Sequence, residues 1–123
     1  MMDVSTFLQH VGAWAGHQPG VTAVYLVGSH ARGDPSSSSD VDLVVLAEDP
    51  ERFIRDQEWA STFGTITRSQ VEEWGRVTSL RVWYADGLEA EFGLTDPGWN
   101  TETDDEETRA VIEDGYRVLY VRD

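Results

Sequence analysis

The chain has 123 residues, and its 9 basic and 23 acidic side chains give it a formal net charge of −14. This length predicts one domain over residues 1–123, and a hydrophobic content of 40% is sufficient for a packed core. The absence of cysteine excludes disulfides, thiolate zinc sites and cysteine nucleophiles. The negative charge disfavours nucleic acid as a partner. With no long apolar run and no leader-like N-terminus, a cytoplasmic protein without a membrane segment is expected.

Hydrophobic spacing predicts the elements of the first half of the chain. An amphipathic helix over 5–16 precedes a strand over 21–27 that is apolar on both faces. A region rich in glycine and serine over 28–40 is typical of a turn and leads to a second buried strand over 41–46. A helix with a proline in its first turn is expected over 50–60.

The second half is expected to be mostly extended. Strands, the last two joined by a tight turn, are predicted over 65–67, 76–84 and 88–94. The acidic stretch 102–107 opens a predicted helix that ends at Gly115, and 117–121 is predicted as the last strand. The order of elements indicates one α/β domain, in which two strands with helical crossovers begin a sheet that an antiparallel hairpin continues.

Two aspartates stand at the start of the second predicted strand. Asp40 and Asp42 are separated by one residue, so both side chains project from the same face of the strand. Two carboxylates about 4 Å apart repel each other by roughly 4 kcal/mol at an effective dielectric constant of about 20. A divalent cation removes this repulsion. Ligands that are all oxygen favour Mg²⁺ or Mn²⁺ over Zn²⁺.

A third carboxylate is available on the predicted strand 88–94, in which apolar and acidic residues alternate. Glu89 and Glu91 share the face of this strand that points away from the core. If the strand lies beside Asp40 and Asp42, one of the two glutamates can complete a metal site. Glu91 is favoured because it lies closer to the middle of the sheet, and Glu89 is the alternative. The solvated face of a hairpin is the competing interpretation for both glutamates.

The end of the first predicted strand has the features of a phosphate-binding turn. Gly28 allows the backbone to turn sharply and to approach a ligand closely. Ser29 adds a hydroxyl and a free backbone N–H at the start of the next helical turn. Taken alone, these two residues are equally well explained by an ordinary turn from a strand into a helix.

The sequences G-S-H-A-R-G at 28–33 and S-D-V-D-L at 39–43 together resemble the signature of the DNA-polymerase-beta-type nucleotidyltransferase superfamily. The closest likeness is to small bacterial nucleotidyltransferase-domain proteins, which include minimal nucleotidyltransferases and aminoglycoside adenylyltransferases. The resemblance implies the nucleotidyltransferase fold, an α+β arrangement with a single mixed sheet and helices mainly on one face. It also implies metal-dependent transfer of a nucleoside monophosphate, with AMP from ATP expected, to a hydroxyl of a small molecule or partner protein.

The resemblance implies roles for seven residues. The residues implied in nucleotide binding are Gly28, Ser29, Arg32 and Ser39. The residues implied as catalytic acids and metal ligands are Asp40, Asp42 and Glu91. In this assignment, backbone N–H groups and a hydroxyl of the first set hold the phosphates of the NTP. The third acid binds metal and acts as a general base for the attacking hydroxyl.

The larger transferases of the superfamily carry a helical second domain that supplies the acceptor site, and this chain has no room for one. A homodimer or a partner protein is therefore expected to complete the site. The alternative is a non-catalytic module that binds a partner, as in small members of the superfamily that act as antitoxins to HEPN-type toxins. The acid set favours the enzyme, because a pure binding module has no need to keep three mutually repelling carboxylates together.

Overall fold

The computed structural model describes residues 3–33, 40–99 and 115–122. In chain order the described elements are α1 (Val4–Gly16), β1 (Val21–Val27), α2 (Gly28–Arg32), β2 (Val41–Ala47), α3 (Arg52–Arg55), a 3₁₀ helix (Glu58–Phe63), β3 (Ile66–Trp74), β4 (Val77–Tyr84), β5 (Glu89–Thr95) and β6 (Arg117–Val121). The strands form one six-stranded sheet in the order β3-β4-β5-β2-β1-β6. Among the helices of these residues, none has the length and apolar character needed to span a lipid bilayer.

The sheet is mixed, as the sequence predicts. Strands β2 and β5 are parallel, and the other neighbouring strands pair antiparallel. The expected helical crossover between the first two strands is wrong, since β1 and β2 are antiparallel neighbours joined through α2. The connection that crosses over lies between β2 and β5, and it contains α3, the 3₁₀ helix and the β3–β4 hairpin.

The main core lies on the face of the sheet that is covered by α1, α3 and the 3₁₀ helix. Phe92 of β5 is fully buried there, and its ring centroid lies 4.8 Å from that of Trp59 and 5.9 Å from that of Phe63. The opposite face has a smaller apolar cluster in which Trp99 packs beside Tyr25. Because side chains alternate along a strand, the acidic residues of β2 and β5 lie on this second face.

The prediction of one continuous helix over 50–60 is wrong. This segment contains α3 and the start of the 3₁₀ helix, with a break between them. Asp56 has an extended backbone, with φ −126° and ψ 110°. Its carboxylate accepts a hydrogen bond from the backbone N–H of Glu58, a local contact that competes with helix formation. The indole N–H of Trp59 donates to the carbonyl oxygen of Phe53 across the break.

The strand predicted over 65–67 is much longer in the structure, where β3 extends from Ile66 to Trp74. Most of its residues are exposed, since β3 is an edge strand with one neighbour, and the sequence therefore lacks the apolar alternation of a half-buried strand. Arg76, predicted to begin the following strand, lies instead in the turn before β4. The predicted helix that opens at 102–107 lies outside the described residues.

Replacing Phe92 by alanine should lower the free energy of unfolding by about 3–5 kcal/mol, because the change removes a fully buried ring and leaves a cavity. Urea unfolding followed by tryptophan fluorescence measures this loss. Val71→Ala on the edge strand β3 is the control, and its 44% exposure predicts a loss of about 0.5 kcal/mol or less. Similar losses for both variants would contradict the assignment of the core to the helical face.

Candidate active site

Three acidic side chains converge where β2 begins. Asp42 is opposite Glu91 in the parallel register of β2 and β5, and Asp40 immediately precedes β2. One carboxylate oxygen from each of Asp40, Asp42 and Glu91 lies within 4.8 Å of the others, and all three residues are partly buried. The structure thus brings together the three acids that the sequence predicts as metal ligands.

The register between β2 and β5 decides which glutamate joins the aspartates. Val41 pairs with Ala90 and both side chains enter the main core, so the next pair, Asp42 and Glu91, lies on the opposite face. Glu89 also lies on that face, but it is not among the acids whose carboxylate oxygens lie within 4.8 Å of one another. Of the two alternatives given by the sequence, Glu91 is the one placed beside both aspartates.

The electrostatic environment makes ionisation of Asp42 unfavourable. Its pKa is raised to about 7, chiefly by burial and then by Coulomb repulsion from Asp40 and Glu91. A bound cation would offset both causes, since it replaces lost hydration and screens the neighbouring carboxylates. The ionised form of Asp42 would therefore be stabilised by a nearby positive charge.

Gly28 at the start of α2 is required by the position of Asp42. Its φ of +75° belongs to the left-handed region that favours glycine. A Cβ atom at position 28 would lie 2.5 Å from Oδ2 of Asp42 and 3.3 Å from its Cβ and Cγ. The sequence predicts that this glycine allows close approach to a ligand, and the structure adds that the same glycine makes room for an acid of the site.

The remaining residues predicted to bind the nucleotide lie at or beyond α2. Ser29 follows Gly28 and is partly buried, whereas Arg32 is the last residue of α2 and is exposed. Ser39 lies outside the described residues. Of the four predicted nucleotide contacts, the structure therefore places Gly28 next to the acid cluster, and Ser29 follows it in α2.

Arg81 of β4 belongs to no motif in the sequence, yet its guanidinium contacts four carboxylates. The distances are 2.9 Å from Nη1 to Asp40 Oδ2, 3.0 Å from Nε to Glu72 Oε1, 2.6 Å from Nη1 to Glu89 Oε2 and 3.3 Å from Nη2 to Glu91 Oε2. Burial alone would lower the pKa of Arg81, but the hydrogen bonds to Glu72 and Glu89 and the charge attraction of Glu91 and Glu72 raise it.

The position of Arg81 follows from a signal that the sequence does contain. If the two strands pair symmetrically about the predicted turn 85–87, Arg81 lies opposite Glu91, and this is the observed register of β4 and β5. Trp74 has no comparable signal, because it lies on the edge strand that the sequence does not reveal. Its indole N–H donates to Oε1 of Glu91 at 3.2 Å, and the residue is 53% exposed.

The family model of the nucleotidyltransferase domain matches residues 9–94, a range that includes the three acids of the candidate site and the four acids that contact Arg81. No curated protein sequence matches the chain. Aminoglycoside 6-adenyltransferase from Bacillus subtilis has a similar structure, with a TM-score of 0.63 and 17% identity over 78% of this chain and 36% of that one. The polymerase core of TRAMP, an RNA surveillance complex, is also similar in structure. Its TM-score is 0.52, and the identity is 15% over 89% of this chain and 38% of that one. These likenesses show the fold, and the chain spans little more than a third of either structure's length.

Gly28→Ala should destabilise the protein more than Gly33→Ala does. Both glycines have a left-handed φ, which costs an alanine about 1–2 kcal/mol, but a Cβ at position 33 meets nothing within 4 Å. At position 28 the clash with Asp42 adds about 1–3 kcal/mol. Chemical denaturation of the two variants isolates this added cost, and equal losses would show that Asp42 does not require the glycine.

Asp42→Asn should stabilise the protein at pH 8 in EDTA, by about 1–2 kcal/mol once solvent screening is allowed for. Because the pKa of Asp42 rises from 3.8 to about 7 on folding, the folded state binds the proton more tightly, and stability falls as pH rises between these values. The gain should therefore be largely lost near pH 4, where the carboxyl is protonated in the folded state and partly protonated in the unfolded state.

The control for this measurement is Asp49→Asn, which removes the same charge from an exposed acid beyond the other end of β2. Its effect on the free energy of unfolding should stay within about 0.5 kcal/mol at both pH values. A gain from Asp42→Asn that is equally large at pH 4 would contradict the assigned cause.

Proposed function

The chain belongs to the nucleotidyltransferase domain family, and we propose that it transfers a nucleoside monophosphate from an NTP to a hydroxyl group, with release of pyrophosphate. The observation that carries this proposal is the convergence of Asp40, Asp42 and Glu91 next to Gly28. The likeness to a 6-adenyltransferase supports ATP as the NTP and AMP as the transferred group. The proposed acceptor is a small molecule or a partner protein that bears the hydroxyl.

A divalent metal, Mg²⁺ or Mn²⁺, is the proposed cofactor. The donor set fits such an ion, because it consists of three partly buried carboxylates and supplies oxygen ligands alone. The raised pKa of Asp42 supports the same conclusion, since an ionised carboxylate in this position needs a compensating charge. When bound, the metal would neutralise charge on the phosphates and orient the reacting oxygens.

The position of each group around the acids suggests how the substrates are arranged. Gly28 and Ser29 lie on the β1 side of the cluster, where their backbone N–H groups and the serine hydroxyl would hold the β- and γ-phosphates. Glu91 lies on the β5 side. The leaving and attacking oxygens of a phosphoryl transfer are roughly in line. The acceptor hydroxyl would therefore approach from the side of Glu91.

In the proposed reaction, the acceptor oxygen forms a bond to the α-phosphorus as the bond from that phosphorus to the bridging oxygen of pyrophosphate breaks. Glu91, which is also a ligand in this assignment, would accept the proton of the attacking hydroxyl, and Asp40 and Asp42 would be the other metal ligands. Gly28 and Ser29 retain the leaving pyrophosphate. The exposed guanidinium of Arg32 at the end of α2 is proposed as an additional phosphate contact.

Asp42→Asn should abolish nucleotidyl transfer while the protein stays folded, with a loss of about a thousandfold or more, because a metal ligand that contributes several kcal/mol to charge stabilisation is removed. Transfer is measured with ATP labelled at the α-phosphate and a lysate as the source of acceptors, and pyrophosphate release is measured in parallel. Asp49→Asn, at an exposed acid outside the cluster, should keep full activity.

Binding of the NTP is tested independently of the acceptor. With Mg²⁺, ATP at 100 times its dissociation constant should stabilise the wild type by about 2.7 kcal/mol against thermal unfolding, and the Asp42→Asn variant by much less. The proposed function would be overturned if Asp42→Asn retained transfer activity. It would also be overturned if no NTP stabilised the wild type.

A further inference from the structure

Arg81 contacts both the proposed metal site and acids outside it. Two of its four acidic partners, Asp40 and Glu91, belong to the proposed metal site, and the other two, Glu72 and Glu89, do not. We propose that Arg81 is an internal cation that competes with the divalent metal for Asp40 and Glu91 and so weakens metal binding. This inference rests on the proposed function, since it concerns the same acids.

Arg81 and a divalent metal would oppose each other electrostatically. The guanidinium and a divalent metal are like charges that are attracted to the same two carboxylates, so each lowers the affinity of the site for the other. Nη1 of Arg81 lies 2.9 Å from Asp40, and Nη2 lies 3.3 Å from Glu91. The side chain of Arg81 is only 21% exposed, and water therefore screens this competition less than it would at an open surface.

Arg81 is anchored by two acids outside the proposed metal site. Its Nε donates to Glu72 at 3.0 Å and its Nη1 to Glu89 at 2.6 Å, and neither glutamate is among the acids that converge as a metal triad. If Asp40 and Glu91 turned towards a metal, these two contacts would still hold the guanidinium in place. Arg81 thus acts as a fixed positioning residue, and its charge stays beside the metal site in both states.

Both carboxylate oxygens of Glu91 have a partner in the protein. Trp74 donates to Oε1 at 3.2 Å, while Arg81 contacts Oε2. Each carboxylate oxygen has two lone pairs, so Glu91 keeps the capacity to bind a cation. Asp40 and Glu91 are consequently held in place before a metal binds. The positive charge of Arg81, which helps to hold them, also opposes the entry of the metal.

The experiment measures Mn²⁺ binding to the nucleotide-free protein by calorimetry and by electron paramagnetic resonance of free Mn²⁺. Arg81→Met should bind Mn²⁺ about tenfold more tightly than the wild type, or tighter still, because a positive charge beside the ion is removed. Arg55→Met is the control, since it removes the same charge from a side chain that pairs with exposed acids beyond the far end of β2. Its affinity should stay within about twofold of the wild type.

Arg81→Lys separates competition from a purely structural role. Lysine keeps the charge on a single nitrogen that cannot reach four carboxylates at once, so this variant should bind Mn²⁺ with an affinity between those of the wild type and Arg81→Met. If Arg81 merely held the acids in place, both variants would bind the metal more weakly than the wild type. Equal or weaker binding in these variants overturns the proposal.

The outcomes also separate this inference from the proposed function. If Arg81→Met does not fold, Arg81→Lys decides: tighter binding than the wild type supports competition, and equal or weaker binding overturns it. If the wild type and the folded variants all bind no Mn²⁺, the metal site itself fails, and the competition fails with it. If the wild type binds Mn²⁺ and the variants do not bind it more tightly, the metal site stands and the role of Arg81 alone is wrong.

Discussion

Mutual repulsion among carboxylates on one face of the sheet is the constraint on which the rest of this structure depends. Five acids lie there within reach of one another or of a shared cation: Asp40, Asp42, Glu72, Glu89 and Glu91. Arg81 is the cation that four of them contact, whereas the fifth, Asp42, has a pKa raised to about 7. Charge on this face is thus only partly compensated by the described residues, and this is the basis for proposing a divalent cation.

One face of the sheet contains the main hydrophobic core, and the other face contains the candidate site. The helical face contains the large apolar cluster around Phe92, and the same strands place Asp42 and Glu91 on the other face by simple alternation. Burial of aromatic and aliphatic side chains on one face stabilises strands whose opposite face is electrostatically unfavourable. The acids are therefore held close together by strands that the opposite face stabilises, in addition to the contacts that four of them make with Arg81.

Local patterns and the resemblance to the superfamily predicted the three acids that converge and Gly28 beside them, on the condition that the strand of Glu91 pairs with that of the aspartates. Asp40 and Asp42 follow from their spacing, and Glu91 from the alternation of a strand that pairs with theirs. The contacts of Arg81 depend on pairing between three strands, and those of Trp74 on an edge strand whose polar residues carry no periodic signal. The break at Asp56 escaped prediction because a side-chain contact to the backbone, and not the apolar pattern, determines it.

The parallel pairing of β2 with β5 is what makes the acid cluster compatible with an adjacent glycine turn. In the antiparallel pair β1–β2, Val27 faces Asp42, so β1 ends and the chain turns at Gly28 beside that acid. Because β5 runs in the same direction as β2, Glu91 reaches the same level of the sheet from the other side. Two neighbours that run in opposite directions thus bring a glycine turn and a third carboxylate to one aspartate. Neither neighbour could supply both, since β1 ends at that level and β5 begins there.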